Sequence, residues 1–252
     1  MVTLDALVEY VDGLLDVSRF QDYAPNGLQV EGRRRVRRLV AGVSVCQALL
    51  EAARERQADM VLVHHGFFWK NESPRVVGIK RRRLALLLGE EISLLAYHLP
   101  LDAHPALGNN VRLAQRLGIE VLGELDVPQA QGLVWHGRLA TSQTPGDFAA
   151  HVGRCLGRPP LHLPGEGSEI RDIAWCSGAA QGYFEAVAAR GVDAYLTGEV
   201  SEPVAHIARE SGVHFFGAGH HATERYGVQA LAAHLSEKFS LDWEYVEIEN
   251  PV

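Results

Sequence analysis

With 252 residues, 47% of them hydrophobic and 22% charged, the chain has the make-up of an ordinary globular protein, long enough for one large domain or two small ones. Its formal net charge of -7 counts against a dedicated nucleic-acid binder, which needs a basic surface for backbone phosphates. No apolar run approaches the roughly 20 residues that span a bilayer, and three widely spaced cysteines, Cys46, Cys155 and Cys176, form neither a disulfide framework nor a CxxC pair, which points to the cytoplasm and to free thiols.

Leu4, Leu7, Val8, Val11, Leu14 and Leu15 recur at helical spacing, so the start reads as an amphipathic helix and not as a secretory leader. Two basic stretches interrupt the acidic balance: Arg33, Arg34, Arg35, Arg37 and Arg38, and then residues 80–83. One reading is a solvated turn and a solvated helix start; the other is an anionic-ligand or subunit contact. From residue 36 onward, short β-branched runs alternate with helix-period segments. Strands are expected at 36–45, 60–63 and 92–97, with helices at 47–56, 82–88 and 107–117. The stretch 118–131, with glycine, proline and several acids, reads as a junction, dividing the chain into lobes 1–125 and 126–252 unless the two form one continuous domain. In the second lobe, strands are expected at 133–140, 170–176, 194–196, 213–216 and 243–248, and helices at 148–156, 183–190, 203–210 and 223–239. This alternation implies an α/β fold with parallel strands covered by helices.

Ligands of such sheets collect outside the carboxyl ends of the strands, and there the notable polar residues gather. One strand runs into His64-His65-Gly66, another into His98 with Asp102 and His104 beyond. A third ends in Thr197-Gly198-Glu199, and a fourth in a glycine turn before His220, His221 and Glu224. Adjacent strand residues point to opposite faces, so one ion is hard for both His64 and His65 to reach, whereas two ions a few ångströms apart remove the difficulty. Gly66 lets the chain leave the strand with unusual torsions. His220 and Glu224, four apart at a helix start, lie on one face and reach one centre. His221 points elsewhere and reads as a supporting group or a cap.

Asp102, just past a strand end, suits a hard divalent ion. His98 is either a ligand or the group that orients one, and it and Glu199 are the candidates for acid/base work; an acid favoured at a helix start is an equal reading of Glu199. His104 reads as shaping a turn, and Asn109 and Asn110 as helix caps. The small-residue run 176–182 reads as a tight turn or as an anion site at a helix N-terminus. Three imidazoles (His64, His65 and His220) and two carboxylates (Asp102 and Glu224), with no thiolate, suit two ions of Fe, Mn, Zn, Co or Ni. Paired sites of this kind activate a bridging water for hydrolysis.

The motifs Asn26-Gly27-Leu28-Gln29-Val30, VHHGFFW at 63–69, YHLPLDAHPALGNN at 97–110, TGEVSE at 197–202 and GHHATERYG at 219–227 occur in this order. Together they resemble the Nif-three-like family of dinuclear-metal, hexameric proteins, whose bacterial members carry the label type-two GTP cyclohydrolase homologue. The resemblance implies two similar α/β lobes with a dinuclear site in the cleft between them, held by His64, His65, Asp102, His220 and a bridging Glu224. It also implies a toroidal homohexamer. The function it points to is a metal-dependent hydrolase of a small or nucleotide-like substrate, though no guanine reader is marked. The alternative is a non-enzymatic metal-binding scaffold or adaptor.

Overall fold

The computed structural model describes Met1–Val252. In chain order it comprises β1 (Val2–Thr3), α1 (Leu4–Leu14), β2 (Gly27–Val30), β3 (Arg35–Val36), β4 (Arg38–Ser44), α2 (Gln47–Glu55) and β5 (Met60–His65). There follow α3 (Gly78–Gly89), β6 (Ser93–Ala96), α4 (Leu99–Ala103), α5 (Asn109–Leu117), β7 (Ile119–Glu124), β8 (Trp135–Gln143) and α6 (Pro145–Leu156). The remainder is β9 (Leu161–Leu163), β10 (Ile170–Trp175), α7 (Phe184–Ala188), β11 (Ala194–Thr197), α8 (Val204–Ser211), β12 (His214–Gly217), α9 (His220–Phe239) and β13 (Asp242–Tyr245). No helix is long and apolar enough to cross a membrane.

Two compact units result: Met1–Leu107 with Gly227–Glu249, and Gly108–Tyr226 with Asn250–Val252. The expected bounds were 1–125 and 126–252; the observed units interleave, because α9 begins in the second and ends in the first. What returns the chain is the pairing of β13 with β4, Trp243 opposite Leu39 and Tyr245 opposite Ala41. No local pattern announces so distant a pairing.

The first unit is built on a five-stranded sheet ordered β13-β4-β5-β6-β2. Its strands are parallel except β2, which runs antiparallel to β6. Both faces are covered, which is why β4, β5 and β6 read as unbroken apolar runs. On one face Leu39, Met60, Leu62 and Leu95 meet Leu4, Leu7 and Val11 of α1 and Val228, Leu231 and Leu235 of α9. On the other, Val40, Val61, Val63 and Leu94 meet Leu49, Leu50 and Ala53 of α2 and Leu84 and Leu87 of α3. Thr3 caps α1 by accepting from Ala6 N, and Leu4, Leu7 and Val11 form its buried stripe.

In the second unit six strands are ordered β7-β8-β10-β11-β12-β9. Here only β10, β11 and β12 are mutually parallel, and β7, β8 and β9 join antiparallel. The expectation of parallel strands therefore holds for the centre of each sheet and for the edge strand β13, and fails at β2, β7, β8 and β9. The expected junction at 118–131 contains β7, paired with β8 from Ile119 opposite Leu139 to Glu124 opposite Trp135. Its alternation of buried or half-buried Ile119, Val121 and Gly123 with exposed Glu120, Leu122 and Glu124 is the mark of a half-covered edge strand. Phe148, Val152 and Leu156 of α6 pack on Ile173, Trp175, Leu196 and Phe216.

Candidate metal centre

In the first unit the carboxyl ends of β5 and β6 bring four of the expected residues together. His64 is wholly buried, and its Nδ1 lies 2.8 Å from the Tyr97 carbonyl. A carbonyl only accepts, so Nδ1 carries a proton and Nε2 is the nitrogen left for a second partner. That Nε2 is 3.4 Å from Asp102 Oδ1. His65 has Nδ1 2.9 Å from the hydroxyl of Ser44, its partner across the β4–β5 ladder. His98 directs Nδ1 at Asp22 Oδ1, 2.9 Å away. Ligand atoms of His64, His65 and His98 all lie within 4.8 Å of one another, and the His64 and His65 rings are 4.5 Å apart. Neighbours on a regular strand face apart, but β5 ends at His65 and the chain departs at Gly66. The need for glycine there is close approach, not unusual torsion: a β-carbon would meet Gln29 Oε1 at 2.2 Å and Ala96 Cβ at 2.6 Å.

Asp22, which the sequence reading did not single out, holds this corner. Besides His98 it accepts from the backbone nitrogens of Ala24 and Leu99 and from Asn26 Nδ2. Burial pushes its pKa up, but the His98 hydrogen bond and charge, with the other donors, outweigh that and hold it down at about 2. Its lone signal in the sequence was a short polar stretch before the Asn26-Gly27 motif, which carries no periodicity.

In the second unit α9 opens at His220, so that residue and Glu224 share a face, and Nε2 lies 2.9 Å from Glu224 Oε2. His220 Nδ1 lies 2.7 Å from Glu199 Oε1. Carboxylates only accept, so both ring nitrogens donate and the metal-free ring is cationic. Burial presses its pKa down, yet Glu224 and then Glu199 raise it to about 9. The turn at 176–182 is a tight turn shaped around this pair. Gly178, at φ +66, is where a β-carbon would collide with Glu224 Oε1, and its nitrogen and carbonyl are held by the hydroxyls of Thr223 and Thr197.

Other expected residues find structural work. His104 Nδ1 accepts from the nitrogens of Ala106 and Leu107, closing the turn after α4. The capping role expected of Asn109 and Asn110 is not found: Gly108 precedes α5 and no side chain caps it. Asn110, fully buried, instead donates to Leu133 O and accepts from Ser177 N. In the basic stretches, Arg33 pairs with Asp59, Arg38 donates to Arg56 O, Lys80 pairs with Glu72 and Arg83 donates to Val45 O. Arg33, Arg37, Arg38 and Arg54 rim a groove of about 460 Å³.

A residue set of this kind suits a divalent cation. Each of His64, His65, His98 and His220 has Nδ1 anchored by a carbonyl, hydroxyl or carboxylate, which directs Nε2 outward as metal-ligating imidazoles require. Asp102 and Glu224 are buried carboxylates set against Nε2 of His64 and His220, places where a buried charge needs a counter-charge.

The profile of Duf34/NIF3 (NGG1p interacting factor 3) matches residues 2–251. The chain belongs to the Duf34/NIF3 family. A Pseudomonas aeruginosa relative named "GTP cyclohydrolase 1 type 2 homolog" is 58% identical over 250 residues, covering 99% of each chain. One of the same name from Allochromatium vinosum is 53% identical and covers 100% of this chain and 98% of that one. Among solved structures, "protein ybgI, unknown function" superposes with a TM-score of 0.96 at 46% identity, covering both chains completely. A Thermus thermophilus crystal structure gives 0.91 at 37% identity, also over 100% of each chain. The α/β architecture is thus that of the NIF3 superfamily, to which these neighbours bring a fold and a homologue label.

Proposed function

We propose that this NIF3-family chain binds two divalent ions through His64, His65, Asp102, His220 and Glu224 and hydrolyses a small or nucleotide-like substrate, acting in the cytoplasm. The observation that carries the reading is the anchoring of Nδ1 in every candidate imidazole, by Tyr97, Ser44 and Glu199 for the three ligands. When bound, paired ions of Fe, Mn, Zn, Co or Ni lower the pKa of water and polarise the group it attacks. Glu199 orients His220 and carries negative charge to it. His98, fixed by Asp22, is the candidate to move a proton at its Nε2. The label on the curated relatives supports a nucleotide-like substrate.

Metal-stripped protein reloaded with each ion in turn tests this. Two ions per chain are expected by elemental analysis, with turnover on a phosphoester, amide or purine-ring panel. Activity that persists with alanine at both His65 and His220 would overturn it. A non-enzymatic adaptor is the second reading, favoured by the family description as an interacting factor; a partner captured regardless of metal loading, with no turnover on any panel, selects it. The homohexamer is proposed with both, and sedimentation at six times the 27.6 kDa chain mass is its check.

A further inference from the structure

The segment after His65 is strained at one residue. Phe68 holds φ +66, the left-handed region that a bulky side chain avoids. Glu72 keeps it there: its Oε2 accepts from the backbone nitrogens of Phe68 at 2.6 Å and Trp69 at 3.2 Å. Lys80 pairs with the other oxygen of Glu72 at 3.1 Å and lies 4.9 Å from the Phe68 ring centroid. The outcome is that Phe68 stays 40% exposed while its neighbour Phe67 is buried at 4%. Strained backbone that holds an apolar ring in water does not serve folding, and such strain concentrates at ligand sites.

Two further rings stand beside the imidazoles of His65 and His98, Trp69 being the residue that follows Phe68. Trp69 is fixed by its Nε1 donating to Gly66 O at 3.1 Å, and its ring centroid lies 5.9 Å from His65 and 5.2 Å from His98. Tyr23, 52% exposed, lies 5.6 Å from Trp69 and meets His98 edge-on at 5.0 Å. All belong to the first unit.

We propose that Tyr23 and Trp69, joined by the exposed Phe68 next in the chain, form a stacking platform that binds a planar heteroaromatic ring beside His65 and His98. Phenol and indole faces stack on planar heterocycles in offset or edge-on geometry, and stacking of this kind tolerates any base because every base has a π-face. Ring recognition by stacking also explains why the sequence carries no hydrogen-bonding pattern for a particular base. The proposal rests on the metal reading above for its substrate role, since the ring is delivered to the imidazoles of that site.

Saturation-transfer NMR on metal-stripped protein, with guanosine and adenosine as probes and ribose as control, tests it without needing metal. Both nucleosides should receive saturation at their ring protons, with ribose silent. Tyr23→Leu and Trp69→Leu should weaken nucleoside affinity roughly tenfold or more each. Phe68→Gly accepts the same φ without strain, so it should keep its fold by circular dichroism and still bind the rings more weakly. Nucleosides binding no better than ribose, or undiminished affinity in folded Tyr23→Leu and Phe68→Gly, would overturn the platform. Mn2+ should then broaden the bound ring protons; ring binding without broadening keeps the platform and tells against the metal reading.

Discussion

His220 and Glu199 are joined by a 2.7 Å hydrogen bond from Nδ1 to Oε1, although they lie 21 positions apart with α8 and β12 between them. The bond fixes which nitrogen of His220 is left to face Glu224. Glu199→Gln keeps an acceptor but removes a charge that raises the His220 pKa. In metal-stripped protein the His220 titration, followed by NMR, should therefore move down from about 9. Glu199→Ala should weaken metal binding by about 10- to 100-fold, the usual result of losing a group that orients a ligand, as read by calorimetry.

Gly178→Ala places a β-carbon against the Glu224 carboxylate at a φ of +66, so two penalties combine. A loss of about 2 kcal/mol or more is expected in chemical denaturation, together with loss of tight metal binding. Gly182→Ala, where a β-carbon meets nothing within 4 Å, should stay within about 0.5 kcal/mol of the parent.

For Asp22 the folded pKa of about 2 lies below its ordinary 3.8. The unfolded chain binds the proton more readily, so the contribution of this carboxylate is present above pH 3.8 and lost as pH falls toward 2. Its size is about 2 kcal/mol. For His220 the folded pKa of about 9 lies above 6.5, so in metal-free protein its contribution is present below pH 6.5 and lost as pH rises through 9. Melting curves of metal-stripped protein should show the acid loss reduced by Asp22→Asn and the alkaline loss reduced by His220→Gln.

Asn110→Ala removes the side chain that bonds Leu133 O and Ser177 N in a fully buried place. Stranding a carbonyl and an N–H without water is expected to cost about 2–4 kcal/mol. The result should appear as a lower denaturation midpoint with an unchanged slope, since the folded surface is the same.

Much of this molecule is local in character, and so it was legible in the sequence. The apolar runs at Met60–His65 and Ser93–Ala96, the stripe Leu4, Leu7 and Val11, and the i,i+4 pair His220 and Glu224 depend on periods of two and 3.6 that neighbours along the chain express. The chemistry at strand ends followed from the same periods, because a buried parallel strand has one place to present a polar group. Tertiary structure alone decided the rest. The edge strand β7, the return of β13 to β4 and the interleaved units rest on pairings between distant segments, where the hydrogen bonds that matter are made by backbone common to every residue. The same holds for the partners of the metal candidates: Ser44, Tyr97 and Glu199 hold His65, His64 and His220 through single hydrogen bonds, and Asp22 holds His98. No period in the sequence encodes contacts made across 21 to 76 positions, the largest being that of Asp22 with His98 at 76.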